Sequence, residues 1–420
     1  MAKYIFIATT GSRGDVEPFI ALGKALRNAG YDVVLSAPPD YGGWIASHGI
    51  AHHAVGEPMA ESMHKFAEAI ENDRIFQSIA TEEYKRKFLD QFASIAAASE
   101  GADLLICSGL QTSLTCLSEL RGTPIIGAHL QPVFRTGEFA FPAQPRYSFG
   151  RFFNRLSYRA VHFMTWRTFR SWWNDARRET LNLKPLGRFH KIGTVNGRPV
   201  PQLCAVSEAM VPRPRDWPDH VHMTGNWFLD GDAEWTPPAD LTAFLEGGPP
   251  PIYIGFGSMP IAHLKKRAFV LLEALRLSGQ RAVFARGWGG WGAELTALGQ
   301  SVHVIDDAPH RHLFPLMTGV VHHGGAGTTA AGFRAGRPAL ITPLITDQFF
   351  NGNLVARLGA GPQPLPVKSW RADVLAERLR QLTRVTRYGE RAREISARMV
   401  QENGLARAVE AVRAVIGTPS

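Results

Sequence analysis

Short apolar runs alternate along this chain with segments whose apolar residues recur every three or four positions. The runs predict buried strands, and the segments between them predict amphipathic helices. Strands that alternate with helices are typical of an α/β fold with parallel sheets and crossover helices. Strands are predicted at Tyr4–Ala8, Asp32–Ala37, Asp103–Cys107, Pro124–Ala128, Gln202–Val206, Pro251–Gly255, Arg281–Ala285, Val302–Ile305, Gly319–His322 and Ala339–Pro343.

A proline-rich, charged stretch interrupts this alternation and predicts two domains. At 420 residues the chain also exceeds the ~250–300 residues at which a single core stops growing. We expect a first domain over residues 1–210, a linker over 211–240, a second domain over 241–400 and a C-terminal helical segment over 401–420. The last helical pattern, from Tyr388 to Val415, reads as one long helix.

Composition narrows the class of protein. A hydrophobic content of 45% and a charged content of 20% are ordinary for a soluble protein. Three cysteines without a CxxC pair support neither a disulfide framework nor a zinc site, so a reducing cytosol fits best. No run reaches the ~18 apolar residues of a membrane span, and the apolar run near the N-terminus is too short to predict a signal peptide. We expect a cytoplasmic protein that is soluble or peripheral to the inner face of a membrane.

Glycines mark the point where one predicted strand becomes a helix. The strand Gly319–His322 runs into HGGAGTT, which begins at His323. Glycines let a backbone approach a ligand closely, and free amides at a helix N-terminus bind anions. The segment predicts a phosphate-binding loop, although a tight strand-to-helix turn explains the same glycines.

A second polar loop, TTGSRGD, runs from Thr9 to Asp15 after the first predicted strand. A carboxylate within hydrogen-bond reach of a hydroxyl can remove its proton as the oxygen attacks, which makes Asp15 a candidate general base. The alternative is structural, because an aspartate here also caps a helix with Pro18 in its first turn. The loop lacks GxGxxG, which disfavours a nicotinamide dehydrogenase.

Both loops resemble one family. HHGGAGTTAAG, followed by Asp347 and Gln348, resembles the nucleotide-sugar signature of the inverting GT-B glycosyltransferases of the UDP-glycosyltransferase family. GSRGDVEPFIALGKAL resembles the N-terminal loop of its sterol glucosyltransferase and bacterial natural-product branch. The resemblance implies an α/β fold of two facing Rossmann-like domains with an interdomain cleft. It also implies a C-terminal helix that returns to the first domain.

The resemblance implies roles for particular residues. Asp15 would be the base, in the loop where many members carry a histidine. Asp347 and Gln348 would hydrogen-bond the donor sugar, and Ser258 would approach the diphosphate from the side opposite the glycine-rich loop. The other diphosphate contacts would be His323, Gly325, Gly327 and Thr328. Because these groups would stabilise the departing diphosphate, no obligatory metal is expected.

Two positions depart from the signature of the plant members. Ala331 stands where those carry a ribose-binding glutamate, and Asp307 stands where a tryptophan stacks on the base. Trp288 is a candidate for the missing stacking face, or an aromatic side chain wedged between the domains. The DxD triplet Asp230–Asp232, which holds a metal in a different transferase fold, lies in the polar linker and predicts a solvated turn.

The segment 148–178 interleaves aromatic residues and arginines with hardly any acids. It fits a core helix whose arginines reach solvent, or an amphipathic helix at a membrane or at the pocket of an apolar acceptor. Nucleic acid is not expected as a partner, because no recognised binding module is present. The net charge of +9 and pI ≈ 9.6 suit anionic lipids, an anionic donor or plain solubility.

The pocket for the acceptor, which is the molecule that receives the sugar, is expected where strand ends of the first domain face the cleft. His129 is either a helper or substitute for Asp15, or a buried histidine of the core. The candidate acceptor-pocket residues are Ser12, Gln111, His129 and Phe134.

These patterns predict an inverting glycosyltransferase that moves a hexose, glucose first among the candidates, from a UDP-sugar to a hydroxyl of a hydrophobic acceptor. Sterols, carotenoids, polyketides, flavonoids and hydroxy-lipids are the acceptor classes considered. The UDP-sugar is a co-substrate, and no other cofactor is expected. Two alternatives stay open, which are a dTDP-deoxysugar donor and a GT-B protein that binds a nucleotide sugar without transferring it.

Overall fold

Parallel strands form two separate sheets in this chain, as the sequence pattern predicts. The computed structural model describes residues 2–59, 69–70, 72, 78–231, 235–287, 291 and 301–418. The first domain contains β1 Tyr4–Ala8, β2 Asp32–Ala37, β3 Ala51–Ala54, β4 Leu104–Ser108, β5 Ile125–His129, the small antiparallel pair β6 Thr194–Val195 and β7 Arg198–Pro199, then β8 Gln202–Cys204 and β9 Val221–Met223. Apart from β6 and β7 these strands form one sheet, in the order β3-β2-β1-β4-β5-β8-β9.

Helices cover both faces of the first sheet. They are α1 Arg13–Asn28, α2 Gly42–Ser47, α3 Glu82–Ala98, α4 Thr115–Arg121 and α5 Arg151–Glu179, with 3₁₀ turns at Pro39–Tyr41 and Gly109–Leu114. Alternate residues of β1 divide the core, because successive strand side chains point to opposite faces. Ile5 and Ile7 pack with α1, whereas Phe6 and Ala8 pack with residues of α3 and α5.

The second domain repeats the plan. Its sheet has the order β12-β11-β10-β13-β14 and contains β10 Ile252–Gly255, β11 Ala282–Ala285, β12 Val302–Ile305, β13 Gly319–His322 and β14 Ala339–Ile341. Its helices are α6 Ala239–Glu246, α7 Leu264–Ser278, α8 His310–Leu313, α9 Ala326–Arg334, α10 Asp347–Arg357, α11 Ala372–Arg384 and α12 Thr386–Met399, with 3₁₀ turns at Phe314–Leu316 and Val367–Ser369. The α/β prediction of two Rossmann-like domains is confirmed.

The strand orders indicate where ligands are expected to bind. In each sheet the order reverses beside the first strand, between β1 and β4 and between β10 and β13. Ligands of open α/β sheets bind at such switch points, beyond the carboxyl ends of the strands. The loops after β1, β10 and β13 are the ones that carry Asp15, Ser258 and His323.

The predicted linker needs a correction. Val221–Met223 lies inside the range 211–240 but pairs in parallel with β8, so it belongs to the first sheet. Strand β9 was not predicted because three strand residues among many prolines give too little periodicity to be recognised in the sequence. The connection between the domains therefore begins after Met223.

The C-terminal pattern also differs from the single long helix predicted. The chain leaves helical geometry after α12 and restarts as α13, Gly404–Ile416, whose first amides are capped by Asn403 Oδ1 accepting from Ala406 N–H at 3.1 Å. Ala408, Val409 and Val412 of α13 share a core with α1 of the first domain. Among the described residues, no helix combines the length and hydropathy needed to cross a membrane.

Candidate active site in the interdomain cleft

The loop after β1 holds Asp15 in the first turn of α1. Asp15 Oδ2 accepts hydrogen bonds from the Ser12 amide at 2.8 Å and from the Ser12 hydroxyl at 3.0 Å. Gly11 has φ +116°, and a Cβ there would lie 2.5 Å from Asp15 Oδ2, so only glycine lets the carboxylate approach. Asp15 therefore caps α1, as the structural alternative holds, and it remains partly exposed. The cap leaves it in place to act as a base.

The surroundings of the Asp15 carboxylate raise its pKa. Removal from water raises the pKa of Asp15 to about 6, opposed by the hydrogen bonds from Ser12. The negative charge of Asp347, in the other domain, raises this pKa further, so the two carboxylates interact across the cleft. A carboxyl pKa close to neutral pH is well matched to general base catalysis.

The glycine-rich loop after β13 is fixed by its neighbours. Gly324 has φ +97°, and a Cβ there would lie 2.6 Å from Ile341 Cγ2 and 3.0 Å from Gln348 O. Gly324 N–H donates to His322 Nδ1 at 3.1 Å, and Asn351 Nδ2 donates to Gly324 O at 2.8 Å. Side chains and backbone from β13, β14 and α10 thus determine the path of the loop.

The glycine-rich loop leads directly into the N-terminus of α9, which begins at Ala326. Thr329 N–H and Oγ1 both donate to Gly325 O, at 3.0 and 2.8 Å. A Cβ on Gly325 would lie 2.6 Å from His323 Nε2, so the glycine lets the imidazole rest on the backbone. Amides in the first turn of a helix lack intrahelical partners, and those of Gly327 and Thr328 are therefore suited to an anion.

The end of β10 lies against the same histidine. Gly257 has φ +58°, and a Cβ there would lie 3.6 Å from His323 Cε1. Gly287, after β11, packs so closely that a Cβ would lie 2.1 Å from Gly257 O. Ser258 is partly exposed beside this contact. Three strand ends therefore converge around His323.

His323 is a neutral imidazole at pH 7. Burial lowers its pKa to about 4, and the nearby His310 lowers it further. Its Nδ1 is buried and has no hydrogen-bond partner among the residues that the structure describes. A buried polar atom of this kind calls for a partner, and a phosphate oxygen would supply one.

Asp347 begins α10 on the second domain. Its N-cap, Thr346, has φ +40°, a costly conformation for a β-branched residue, and Thr346 Oγ1 donates to Asp347 Oδ1 at 2.9 Å. Burial raises the pKa of Asp347. Across the cleft, Gln131 Nε2 donates to Asp347 Oδ2 at 3.3 Å.

Unlike Asp347, Gln348 uses its side-chain oxygen to bind the backbone of its own domain. Its Oε1 accepts the amides of Leu344 and Ile345 at 2.8 and 3.1 Å, which holds the loop before α10. The side chain is buried. Only its Nε2 is left to hydrogen-bond a sugar hydroxyl, so the predicted sugar contact has to be a donor.

The structure adds residues that the sequence analysis did not single out as site residues. Arg13 Nη1 lies 2.5 Å from Asp307 Oδ2, which ties the Asp15 loop to the loop after β12. Gln131 ties the loop after β5 to Asp347. Gln131 follows the predicted strand Pro124–Ala128 by three residues, at one of the strand ends expected to face the cleft, which was a usable signal. Arg13 and Asp307 are 294 positions apart and carried none.

The acceptor-side candidates Ser12, Gln111, His129 and Phe134 all lie in the first domain, and two of them are in contact with each other. His129 Nε2 donates to Gln202 Oε1 at 2.9 Å, and burial lowers its pKa to about 4. The Phe134 ring packs edge-on against His129, with centroids 5.0 Å apart. Gln111 is buried in the 3₁₀ turn after β4. His129 is thus held by the core, and among the described contacts none joins it to Asp15.

Two further predictions concern the linker and the nucleotide base. Trp288 and Asp232 lie outside the described residues. Asp230 forms a bidentate pair with Arg334, both distances being 2.8 Å, so this carboxylate of the DxD triplet is engaged by α9. Within the described ranges no three His, Cys, Asp or Glu side chains come together as a metal site would require.

Comparison with known proteins agrees with this geometry. Residues 5–136 match the glycosyltransferase family 28 N-terminal domain, and residues 290–414 match the erythromycin biosynthesis protein CIII-like C-terminal domain. The solved glycosyltransferase of kitacinnamycin superposes with a TM-score of 0.72 at 17% identity, covering 99% of this chain and 100% of that one. This likeness confirms the GT-B fold.

Curated relatives define the family. The sterol 3-beta-glucosyltransferase UGT80B1 of Arabidopsis thaliana is 32% identical over 97% of this chain and 67% of its own length. A sterol 3-beta-glucosyltransferase of Neosartorya fischeri is 32% identical over 96% of this chain and 29% of its own length. The chain thus spans about two thirds of the plant relative and less than a third of the fungal one. It belongs to the UDP-glycosyltransferase family and is a glycosyltransferase of the GT-B fold.

Proposed function

We propose that this enzyme transfers a hexose, glucose first among the candidates, from a UDP-sugar to the hydroxyl of a sterol-like hydrophobic acceptor, with inversion at the anomeric carbon. The proposed site of action is cytoplasmic, with residues 148–178 in contact with a membrane surface. The observation that carries the proposal is the facing arrangement of Asp15, on the loop at the switch point of the first sheet, and Asp347, which follows β14 of the second sheet. The names of the relatives support the acceptor class.

In the proposed reaction Asp15 accepts the proton of the acceptor hydroxyl as that oxygen attacks the anomeric carbon. The carbon–oxygen bond to the diphosphate breaks as the new bond forms, and the leaving diphosphate takes up the bonding electrons. His323, Ser258 and the amides of Gly325, Gly327 and Thr328 would stabilise that developing charge, a role that needs no metal. Asp347 and Gln348 Nε2 would hold the sugar hydroxyls.

Two substitutions of Asp15 distinguish its proposed role as a general base from its role in capping α1. Asparagine keeps an oxygen that can accept from Ser12 but cannot take a proton, so Asp15→Asn should lower kcat by about 10²–10⁴-fold with little change in UDP affinity. Asp15→Ala should lose the cap as well, about 1 kcal/mol of stability. Turnover assays, UDP titration calorimetry and thermal melting measure the three effects.

The exposed Asp32, at the start of β2, provides a matched control, and Asp32→Asn should resemble the wild type. If Asp15→Asn kept full turnover, Asp15 would not be the base. If it lost UDP affinity as strongly as turnover, its role would be structural.

The identity of the donor needs a separate test. Ala331 supplies no carboxylate for a ribose hydroxyl, which keeps a dTDP-deoxysugar donor as the second candidate. Thermal shifts with UDP, dTDP, UDP-glucose and dTDP-glucose, with and without Mg²⁺, distinguish the two because the ligand that binds the folded state stabilises it. Stabilisation by the UDP compounds without metal is expected. A preference for dTDP would reassign the donor.

A further inference from the structure

Helix α5 carries large apolar side chains on two opposite faces. One face is buried, with Tyr158, Trp166 and Trp173 packed into the first domain. The opposite face is in solvent, where Phe152 is 73% exposed and Met164 is 59% exposed. The remaining exposed apolar side chains of this outer surface are Phe149, Phe153, Leu156 and Phe163.

Spacing shows that the outer residues form one surface. Residues three, four, seven, eight and eleven positions apart share one side of a helix. Phe152, Phe153, Leu156, Phe163 and Met164 follow this spacing, and Phe149 precedes the helix by two residues. Single exposed apolar residues are common on protein surfaces, but a contiguous exposed apolar patch of this kind usually marks a binding surface. We call these six residues the outer apolar face.

Charge identifies the partner of the outer apolar face. Residues 148–174 contain no aspartate or glutamate. Arg159, Arg167 and Arg170 are exposed, and none of them forms an ion pair with a residue in the described part of the chain. Arg155 differs, because it is neutralised by Asp216 at 2.6 Å. Aromatic residues flanked by unpaired cations fit an anionic lipid surface.

The outer apolar face adjoins the proposed acceptor side. The chain runs from β5 through residues 130–150 directly into α5, and Phe141 of this connection packs on Tyr158 with ring centroids 5.4 Å apart. Tyr147 of the same connection stacks on Phe350 of the second domain at 5.1 Å. Beside it, Arg146, Phe149 and Phe153 line a depression of about 450 Å³. A bilayer on this face would lie next to the mouth of the cleft.

We propose that the outer apolar face of α5 docks on an anionic bilayer, with its phenylalanines in the interface and Arg159, Arg167 and Arg170 at the lipid headgroups. This deepens the membrane contact included in the proposed function. Docking would place an apolar acceptor dissolved in the bilayer beside the loops that follow β4 and β5. The protein would thereby bind the membrane that holds its acceptor.

Co-sedimentation of the full chain with vesicles tests the docking. The probes are phosphatidylcholine vesicles and vesicles of three parts phosphatidylcholine to one part phosphatidylglycerol. We expect binding to the anionic vesicles that weakens with added salt, and little binding to the neutral ones. Absence of binding to anionic vesicles at low salt, or equal binding to both compositions, would overturn the proposal.

Variants assign the binding to α5. Phe152→Gln with Phe163→Gln should weaken partitioning about tenfold or more, because two aromatic side chains no longer enter the interface. The matched control is Phe269→Gln, since Phe269 is 70% exposed on α7 of the other domain. Unchanged partitioning of the double variant, or an equal loss in the control, would contradict the assignment.

The arginines are tested in the same way. Arg159→Gln with Arg167→Gln should weaken binding to anionic vesicles about fivefold for each charge removed. Arg384→Gln with Arg387→Gln removes the same charge from exposed positions of the second domain and should have no such effect. Equal losses in both pairs would show that net charge alone attracts the protein, against the proposal.

Other occupants of the face give different results. Binding to a single-stranded oligonucleotide without vesicle binding would assign the face to nucleic acid, and a dimer dissociated by Phe152→Gln would assign it to a second copy. Either outcome overturns the membrane proposal. Transfer to an acceptor dispersed in detergent should be unaffected by the phenylalanine variants, so failure of docking and failure of the proposed reaction are distinguishable.

Discussion

At the residue scale, Asp15 has the capping role that the structure shows and is also the proposed general base, so the two interpretations of this residue do not exclude each other. Its Oδ2 accepts both hydrogen bonds from Ser12, which fixes the rotamer of the carboxylate at the start of α1. Burial and Asp347 keep the pKa high in spite of those bonds. A carboxylate held in place by its own helix turn can serve as the proposed base in a loop that contains no histidine.

The raised pKa predicts the pH dependence of the reaction. Only the ionised carboxylate can accept a proton, and ionisation of Asp15 is half complete at about pH 6. We expect kcat/KM to fall about tenfold for each pH unit below this value and to level off above it. A pH series from 5 to 8 measures this. A profile that is flat across pH 6 in the wild type would contradict the assignment of Asp15.

At the scale of elements, two glycines of the connection from β13 to α9 should respond differently to substitution by alanine. Gly324 should not accept the substitution, whereas Gly327 should. Gly324→Ala places a Cβ at positive φ against Ile341 and the backbone of Gln348. We expect a loss of about 1–3 kcal/mol in the free energy of unfolding, together with weaker UDP binding. Thermal melting and UDP titration measure the two effects.

Gly327 provides the matched control, since no heavy atom lies within 4 Å of a Cβ placed there. Gly327→Ala should be neutral or stabilising by up to about 1 kcal/mol, because alanine suits the helical conformation of α9 better than glycine. Equal destabilisation by the two substitutions would show that close packing of the loop is not the reason for its glycines.

Elements were predictable where they rest on local pattern. The strands that alternate with helices, the loop after β1 and the glycine-rich loop followed from short runs of sequence. Strand β9 did not, because three residues among prolines carry too little periodicity. Gln131 and Asp347 meet although they are 216 positions apart, and no local pattern encodes such a contact. Both apolar faces of α5 are visible in the sequence, but only burial shows which of them lies in solvent.

At the scale of the whole molecule, polar side-chain contacts between the two domains join the walls of the cleft near Asp15. Arg13 pairs with Asp307, and Gln131 donates to Asp347. The Arg13–Asp307 pair is about half exposed, with side chains 46% and 62% accessible, so it adds little to folding stability. The pair joins the loop that carries Asp15 to the loop after β12, so it can help to hold these two walls of the cleft together.

The Arg13–Asp307 pair predicts a salt-sensitive rate. Arg13→Gln should lower kcat/KM up to about fivefold at low salt, the value of an exposed pair, and should change the melting temperature little. The difference from the wild type should shrink as NaCl screens the pair. Arg276→Gln removes a similar exposed pair within α7 and should leave kcat/KM unchanged. A salt-independent loss in Arg13→Gln would refute the electrostatic explanation.

The account as a whole rests on direct displacement assisted by one base. The most direct test is the anomeric configuration of the product formed from UDP-α-glucose and a sterol acceptor, measured by proton NMR. A single displacement with Asp15 as the base predicts a β-linked product. An α-linked product, or no transfer from UDP-glucose to any sterol, would contradict it.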